Sequence, residues 1–153
     1  MRRNSLLLPS FAVLACLFTL SLFSVSGQAA GDNVLTAAKA LELAHAENVT
    51  IVDVRSPQEW RQTGVPAGAA QVTIHDPGGF AGFVAAMSKA VEGDLNRPIA
   101  LICARGNRST YAQRVLREAG FTQVYNIREG MFGSQDGPGW LSQTLPTEPC
   151  RSC

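Results

Sequence analysis

Histidine is almost missing from this chain. Only His45 and His75 occur among 153 residues. Neither has a cysteine or a second histidine at ligand spacing, so the sequence offers no metal site, and no cofactor is expected. Charge is sparse as well. Charged residues make up 16% of the chain and the net charge is +1, which leaves no positive excess for nucleic acid or for a polybasic membrane patch. There is no internal repeat and no low-complexity tract. What remains is 46% hydrophobic, the composition of an ordinary globular protein, in a length that suits one domain.

Residues 1–29 differ in kind from the rest. Arg2 and Arg3 form a positive start, an apolar run broken only by Pro9 follows, and Gly27-Gln28-Ala29 puts small residues where a signal peptidase reads. This predicts a secretory leader cut after Ala29 or Ala30. An uncleaved membrane anchor is the alternative, since the run is long enough to span a bilayer. Lipidation at Cys16 is another, although Leu14 fits a lipidation box poorly. A twin-arginine signal fits poorly too, because Ser5 stands where it wants a bulky apolar residue. Loss of Arg2 and Arg3 leaves a mature chain near neutrality, with no membrane contact expected. Export places the thiols in an oxidising, periplasmic or secreted setting. There the chain keeps Cys103, Cys150 and Cys153, an odd number that suggests one unpaired, reactive thiol.

The mature chain alternates helical and strand patterns. Thr36 caps a predicted helix through His45, and residues 49–54 are a β-branched run that reads as a buried strand. Ser56-Pro57-Gln58-Glu59 is a capping box with proline at the first helical position. A short helix to Gln62, a turn over residues 64–68 and a second strand over 69–74 follow. Residues 80–91 place Phe80, Phe83, Val84 and Met87 on one helical face. Ile99-Ala100-Leu101-Ile102 is a strand. Ser109 is the expected cap of the next helix, which ends at Gly120, and residues 124–127 form a last strand. Such alternation implies an α/β fold, an open, mainly parallel sheet with helices on both faces. Ligands bind beyond the carboxyl ends of the strands in such sheets.

Cys103 falls at such an end, opening Cys103-Ala104-Arg105-Gly106-Asn107-Arg108-Ser109. A thiol becomes a strong nucleophile as the thiolate, which nearby cations and helix N-termini favour. Arg105, Arg108 and a helix start all lie close in sequence. If the loop curls, the backbone N–H groups of residues 104–109 form an anion nest, and Gly106 permits the positive φ that a curl needs. Ser109 or Thr110 can add a hydroxyl donor.

The loop resembles that of the rhodanese family of sulfurtransferases, whose C-x-x-G-x-R-S pattern is matched by Cys103, Gly106, Arg108 and Ser109. Asp53-Val54-Arg55, Glu59-Trp60, the turn with Gly64, Pro66, Gly68 and Ala69, and Glu129-Gly130-Met131 after the last strand are also similar to that family. The resemblance runs in order over residues 34–142. It departs from the family at Val65, where many members have histidine, and at Arg128-Glu129-Gly130, where a double glycine is usual. It implies covalent catalysis. Cys103 takes a sulfane sulfur from an anionic donor such as thiosulfate and passes it to a thiol, to cyanide or to a protein acceptor. Arg105 and Arg108 are the candidates to attract the donor. Cysteine phosphatases space their cysteine and arginine by five residues. Here four intervene, which makes a tighter ring suited to a single sulfur.

Other residues have structural expectations. Asp53 and Arg55 read as a pair holding neighbouring loops, with Arg55 at the pocket rim as the minority view. Glu59 reads as a helix cap, and Trp60 and Trp140 as core residues. Residues 143–153 read as a tail, and its Cys150-Arg151-Ser152-Cys153 as a small exposed disulfide. A sharper possibility is that the tail reaches Cys103 and resolves its persulfide or sulfenic acid. Two other function classes stay open: a non-catalytic sulfur carrier built on the same loop, and a thiol redox protein working through Cys150 and Cys153.

Overall fold

Three four-residue strands, mostly of β-branched and apolar residues, set up the fold. The computed structural model describes residues 33–150 and 153. The leader, Cys16, Arg151 and Ser152 lie outside them. The elements in chain order are β1 (Val34–Leu35), α1 (Ala37–His45), β2 (Thr50–Asp53), α2 (Pro57–Thr63), β3 (Val65–Pro66), β4 (Ala70–Gln71), α3 (Gly79–Ala90), β5 (Ile99–Ile102), α4 (Asn107–Glu118), β6 (Val124–Ile127), α5 (Gly139–Ser142) and β7 (Thr147–Glu148). Five strands make one sheet in the order β1-β6-β5-β2-β4, and every pairing in it is parallel. The runs β2, β5 and β6 lie side by side, with Asp53, Ile102 and Ile127 in register at their carboxyl ends.

Side chains of a strand alternate between faces, and here each face has its own core. Ile99, Leu101 and Cys103 join Val52, Val54, Phe83, Met87 and Leu116 on the α3–α4 side. Ala100 and Ile102 join Ile51, Ile127, Met131 and Trp140 on the α1–α5 side. β5 is buried at all four positions, as a parallel strand covered on both faces must be. This is the α/β sheet expected from the alternating pattern. Both tryptophans are core residues, at 5% exposure for Trp60 and 0% for Trp140.

The helix starts follow from local chemistry. Thr36 accepts a hydrogen bond from the Lys39 N–H, and Ser56 and Glu59 form the reciprocal capping box of α2. α4 departs from expectation. It begins at Asn107, and its N-cap is Gly106 in the left-handed region at φ 86°. Ser109 is therefore the third helical residue, with its hydroxyl turned inward. At the other end, Gly120 at φ 98° follows the last turn, the usual glycine stop.

Four elements escape sequence reading. β1, β3, β7 and the four-residue α5 are too short to show a period, and β3 lies in the stretch expected as a turn. β7 pairs antiparallel with β3, placing Val65 opposite Glu148 and Pro66 opposite Thr147. The stretch from Leu145 to Glu148 is thus no loose tail. The Pro146 carbonyl accepts from the Trp140 indole N–H and the Ala67 N–H, and the Arg61 guanidinium donates to the Cys153 carbonyl. The predicted strand over 69–74 reduces to Ala70–Gln71, but the Val72 N–H still donates to the Asp53 carbonyl at the end of β2 and the Ile74 N–H to that of Val54 just beyond it.

Candidate active site

The sheet order brings the chain to a switch point between β2 and β5. The chain leaves β2 toward one edge strand, β4, and leaves β5 toward β6 on the other side. Crevices at such points, beyond the strand ends, are where open α/β sheets bind ligands. Cys103 is the residue just past β5. It is 1% exposed and is the free cysteine among the described residues, because Cys150 and Cys153 form a disulfide.

The loop after Cys103 is held by a second loop, residues 128–133. The Met131 N–H donates to the Cys103 carbonyl at 2.9 Å and the Phe132 N–H to the Ala104 carbonyl at 3.0 Å. Gly106 and Gly130 make this close approach possible. A Cβ at Gly106 would collide with the Arg128 carbonyl, and one at Gly130 with the Ala104 carbonyl. The Gly106 carbonyl accepts from the Thr110 N–H, the Thr110 hydroxyl and the Ser109 hydroxyl.

The loop's donors are not spent in this way. None of the N–H groups of residues 104–109 donates to an acceptor among the described residues. Three of them belong to the open first turn of α4, where the helix dipole adds positive potential. The Ser109 hydroxyl lies 3.4 Å from the Cys103 sulfur and 3.0 Å from the Gly106 carbonyl. Its single proton can serve either acceptor. Thr110 is less free: its hydroxyl donates to Gly106 and accepts from the Asn126 amide at 2.7 Å.

The arginines do not behave alike. Arg108 is held in a two-pronged pair by Glu59, at 2.7 and 2.6 Å. That pair holds the Glu59 carboxyl down, from 4.5 to about 2, chiefly through the Arg108 hydrogen bonds and against the cost of burial. Arg108 is pushed up in return, mainly by its hydrogen bonds to Glu59 and against the cost of burial. Glu59 is therefore both the α2 cap and the anchor of Arg108, a partnership across 49 positions that the capping box alone does not announce. Arg105 is exposed and reaches toward the Gly133 carbonyl at 3.4 Å. Together with Asn107, it borders a hollow shared with Arg128, Ser134 and Asp136.

Asp53 and Arg55 are both fully buried. The Arg55 Nε and Nη2 donate to Asp53, Nη1 to the Thr63 hydroxyl at 2.8 Å and Nη2 also to the Gly64 carbonyl at 2.8 Å. Arg55 therefore ties β2 to the end of α2 and reaches no pocket rim. Sequence reasoning missed Glu129. It is 7% exposed, accepts from the Ala37 N–H at 2.7 Å and from the Gln143 amide, and so fastens the second loop to α1. It also missed an apolar cavity beside α4, lined by residues such as Phe80 and Tyr111.

Comparison with known proteins gives the family. The chain is 28% identical over 114 residues to the thiosulfate sulfurtransferase GlpE of Glaesserella parasuis, a match covering 74% of this chain and 91% of that one. It is 32% identical over 92 residues to the GlpE of Pseudomonas putida, covering 60% and 74%. Among solved structures, Rv0390 from M. tuberculosis superposes with a TM-score of 0.60 at 30% identity, over 76% of this chain and 97% of that one. The sequence profile of the rhodanese-like domain matches residues 36–136, and the chain belongs to the rhodanese-like domain family.

Proposed function

We propose that this protein is a sulfurtransferase that carries a sulfane sulfur as a persulfide on Cys103. The observation that carries the reading is a run of six N–H groups, residues 104–109, that meet no acceptor among the described residues and follow directly on a buried thiol at a strand end. Preorganised donors of this kind stabilise an anion at no reorganisation cost. With a thiosulfate-like donor, the Cys103 thiolate attacks the outer sulfur. A new S–S bond forms to Sγ, the old S–S bond breaks, and sulfite leaves with the electron pair. A thiophilic acceptor, a thiol or cyanide, then attacks the outer sulfur of the persulfide and Sγ leaves as the thiolate.

The reading extends to location. With residues 1–29 as a leader, the protein works in an oxidising compartment, where a disulfide such as Cys150–Cys153 persists. There the buried setting of Cys103 protects a thiol that must stay reduced between turnovers.

Intact-mass analysis of the purified protein, with and without thiosulfate, tests this. The expected result is a gain of one sulfur on Cys103, thiosulfate-to-cyanide transfer, and loss of both in Cys103→Ser. Full transfer by Cys103→Ser would overturn it. A stable one-sulfur adduct with negligible turnover would instead favour a non-catalytic carrier. The engagement of Arg108 by Glu59 is the feature that lends the carrier some support, since it leaves less free charge to recruit an anionic donor. A Cys150/Cys153 double variant that fails while Cys103→Ser survives would point to a redox protein.

A further inference from the structure

Sulfur transfer through Cys103, on which this inference rests, needs a place for the acceptor beside the thiol. A cavity of about 430 Å3 opens next to the first turns of α4, lined by Ile74, His75, Phe80, Asn107, Arg108 and Tyr111. That is within the size range of small-molecule pockets. Cys103 does not line it, but the cavity adjoins the reactive loop in two ways. Asn107 and Arg108 supply two of the unengaged N–H groups of the cradle. Ile74 belongs to the same buried cluster as Cys103.

The chemistry of the cavity differs from that of the cradle. Phe80 is 51% exposed and Tyr111 36%, with ring centroids 5.2 Å apart and tilted by 59°. The two rings, left partly open beside the reactive loop, form an apolar wall of the cavity. The Arg108 charge is taken up by Glu59, and the Arg114 guanidinium sits 4.9 Å above the Tyr111 ring. No carboxylate lines the cavity. An inorganic anion gains from the N–H groups but nothing from the aromatic wall. A molecule with an apolar body gains from the wall by leaving water.

We propose that the cavity bounded by Phe80 and Tyr111 is the acceptor subsite, and that its acceptor is a small organic thiol with an aromatic or branched aliphatic body. The body lies on Ile74, Phe80 and Tyr111, and the sulfur points to Cys103. The acceptor thiolate attacks the outer sulfur of the protonated persulfide. A bond forms between the two sulfurs, the bond to Sγ breaks, and Sγ keeps the electron pair. The products are the organic hydropersulfide and the Cys103 thiolate, with no net oxidation.

The test compares phenylmethanethiol with 2-mercaptoethanol as acceptors, at saturating thiosulfate, with cyanide alongside. These two alkyl thiols are similarly acidic, so their rates differ through the body they carry. The expected preference in kcat/KM for phenylmethanethiol is about tenfold, the scale of a well-filled apolar pocket. The Phe80→Ala/Tyr111→Ala double variant should bring the ratio near one through KM, and Phe80→Leu should keep most of it. Both side chains are exposed, so folding is not at risk, and a matching thermal transition checks it. A wild-type ratio near one, or a ratio untouched in the double variant, overturns the inference. If cyanide transfer persists in that case, the sulfurtransferase reading stands. Failure to form the persulfide at all would remove that reading itself.

Discussion

Replacing Glu59 with glutamine removes one charge and little shape. Its carboxylate accepts from both prongs of Arg108, from the Ser56 N–H at 3.0 Å and from the Ser56 hydroxyl at 2.8 Å. A glutamine keeps one acceptor oxygen, so one prong of Arg108 loses its acceptor along with the charge. The carboxyl is lowered from 4.5 to about 2, which at about 1.4 kcal/mol per unit sets a ceiling near 3.5 kcal/mol. About a quarter of each side chain remains open to water, 28% for Arg108 and 24% for Glu59. Solvent screening of such a pair brings the expected cost of Glu59→Gln to about 1–2 kcal/mol. The sign with pH follows from the lowered value. The folded state holds the proton less tightly than the unfolded chain, so the stabilisation is complete above 4.5 and is lost as pH falls toward 2. Urea unfolding of both proteins should show the full deficit at about pH 7, half or less near pH 3, and convergence below that. A cycle with Arg108→Met isolates the coupling from the cap. Equal stability at neutral pH, or a deficit that does not change with pH, would refute the reasoning.

The same substitution releases Arg108, so the KM for thiosulfate should fall in steady-state assays, the reverse of what a purely structural loss produces. Ser109→Ala should lower kcat about tenfold with little change in KM, while costing no more than about 1.5 kcal/mol in thermal unfolding. The Gly106 carbonyl keeps its two Thr110 donors in that variant. Gly106→Ala meets both a left-handed φ of 86° and the Arg128 carbonyl, so it should lose at least about 2 kcal/mol and most sulfur loading, read by denaturation and intact mass. Arg55→Ala strands the buried Asp53 carboxylate and should cost about 3–5 kcal/mol in urea titration. Arg55→Lys should recover only part, since one ammonium cannot replace donors that reach Asp53, Thr63 and Gly64 together.

Much of the fold was legible because β2, β5 and β6 are rich in β-branched and apolar residues and because Thr36, Ser56 and Glu59 are strong local start signals. Such features act over a few residues and need no tertiary context. β7 could not be read. Thr147 and Glu148 carry no strand pattern, and they pair only because β3 presents an open edge more than 80 positions earlier. Ser109 was misassigned for a related reason. Serine is a common cap, but here a glycine with positive φ starts the helix, and the serine hydroxyl is drawn inward to the Gly106 carbonyl. Arg108 was legible as a loop residue and not as the partner of Glu59. A capping glutamate uses one oxygen on its own helix, and nothing in the sequence says what the other reaches.

The two loops also explain why a short motif depends on residues far from it. A backbone loop presents acceptors as readily as donors, and a carbonyl facing a thiolate would repel it. Here the carbonyls of Cys103 and Ala104 are turned to the N–H groups of Met131 and Phe132, and that of Gly106 to Ser109 and Thr110. Three of the loop's carbonyls are thereby engaged, while its N–H groups stay open and the Ser109 hydroxyl reaches the sulfur. The second loop is therefore part of the cradle although it touches no sulfur, and Gly130 is as necessary to it as Gly106. With Arg108 committed to Glu59 and Arg105 turned to the outer hollow, the attraction for an anion comes chiefly from oriented peptide dipoles. Dipoles act at short range and in a fixed direction, whereas a mobile guanidinium draws any anion from a distance. On the proposed function, a site built this way selects by fit to a small sulfur more than by charge.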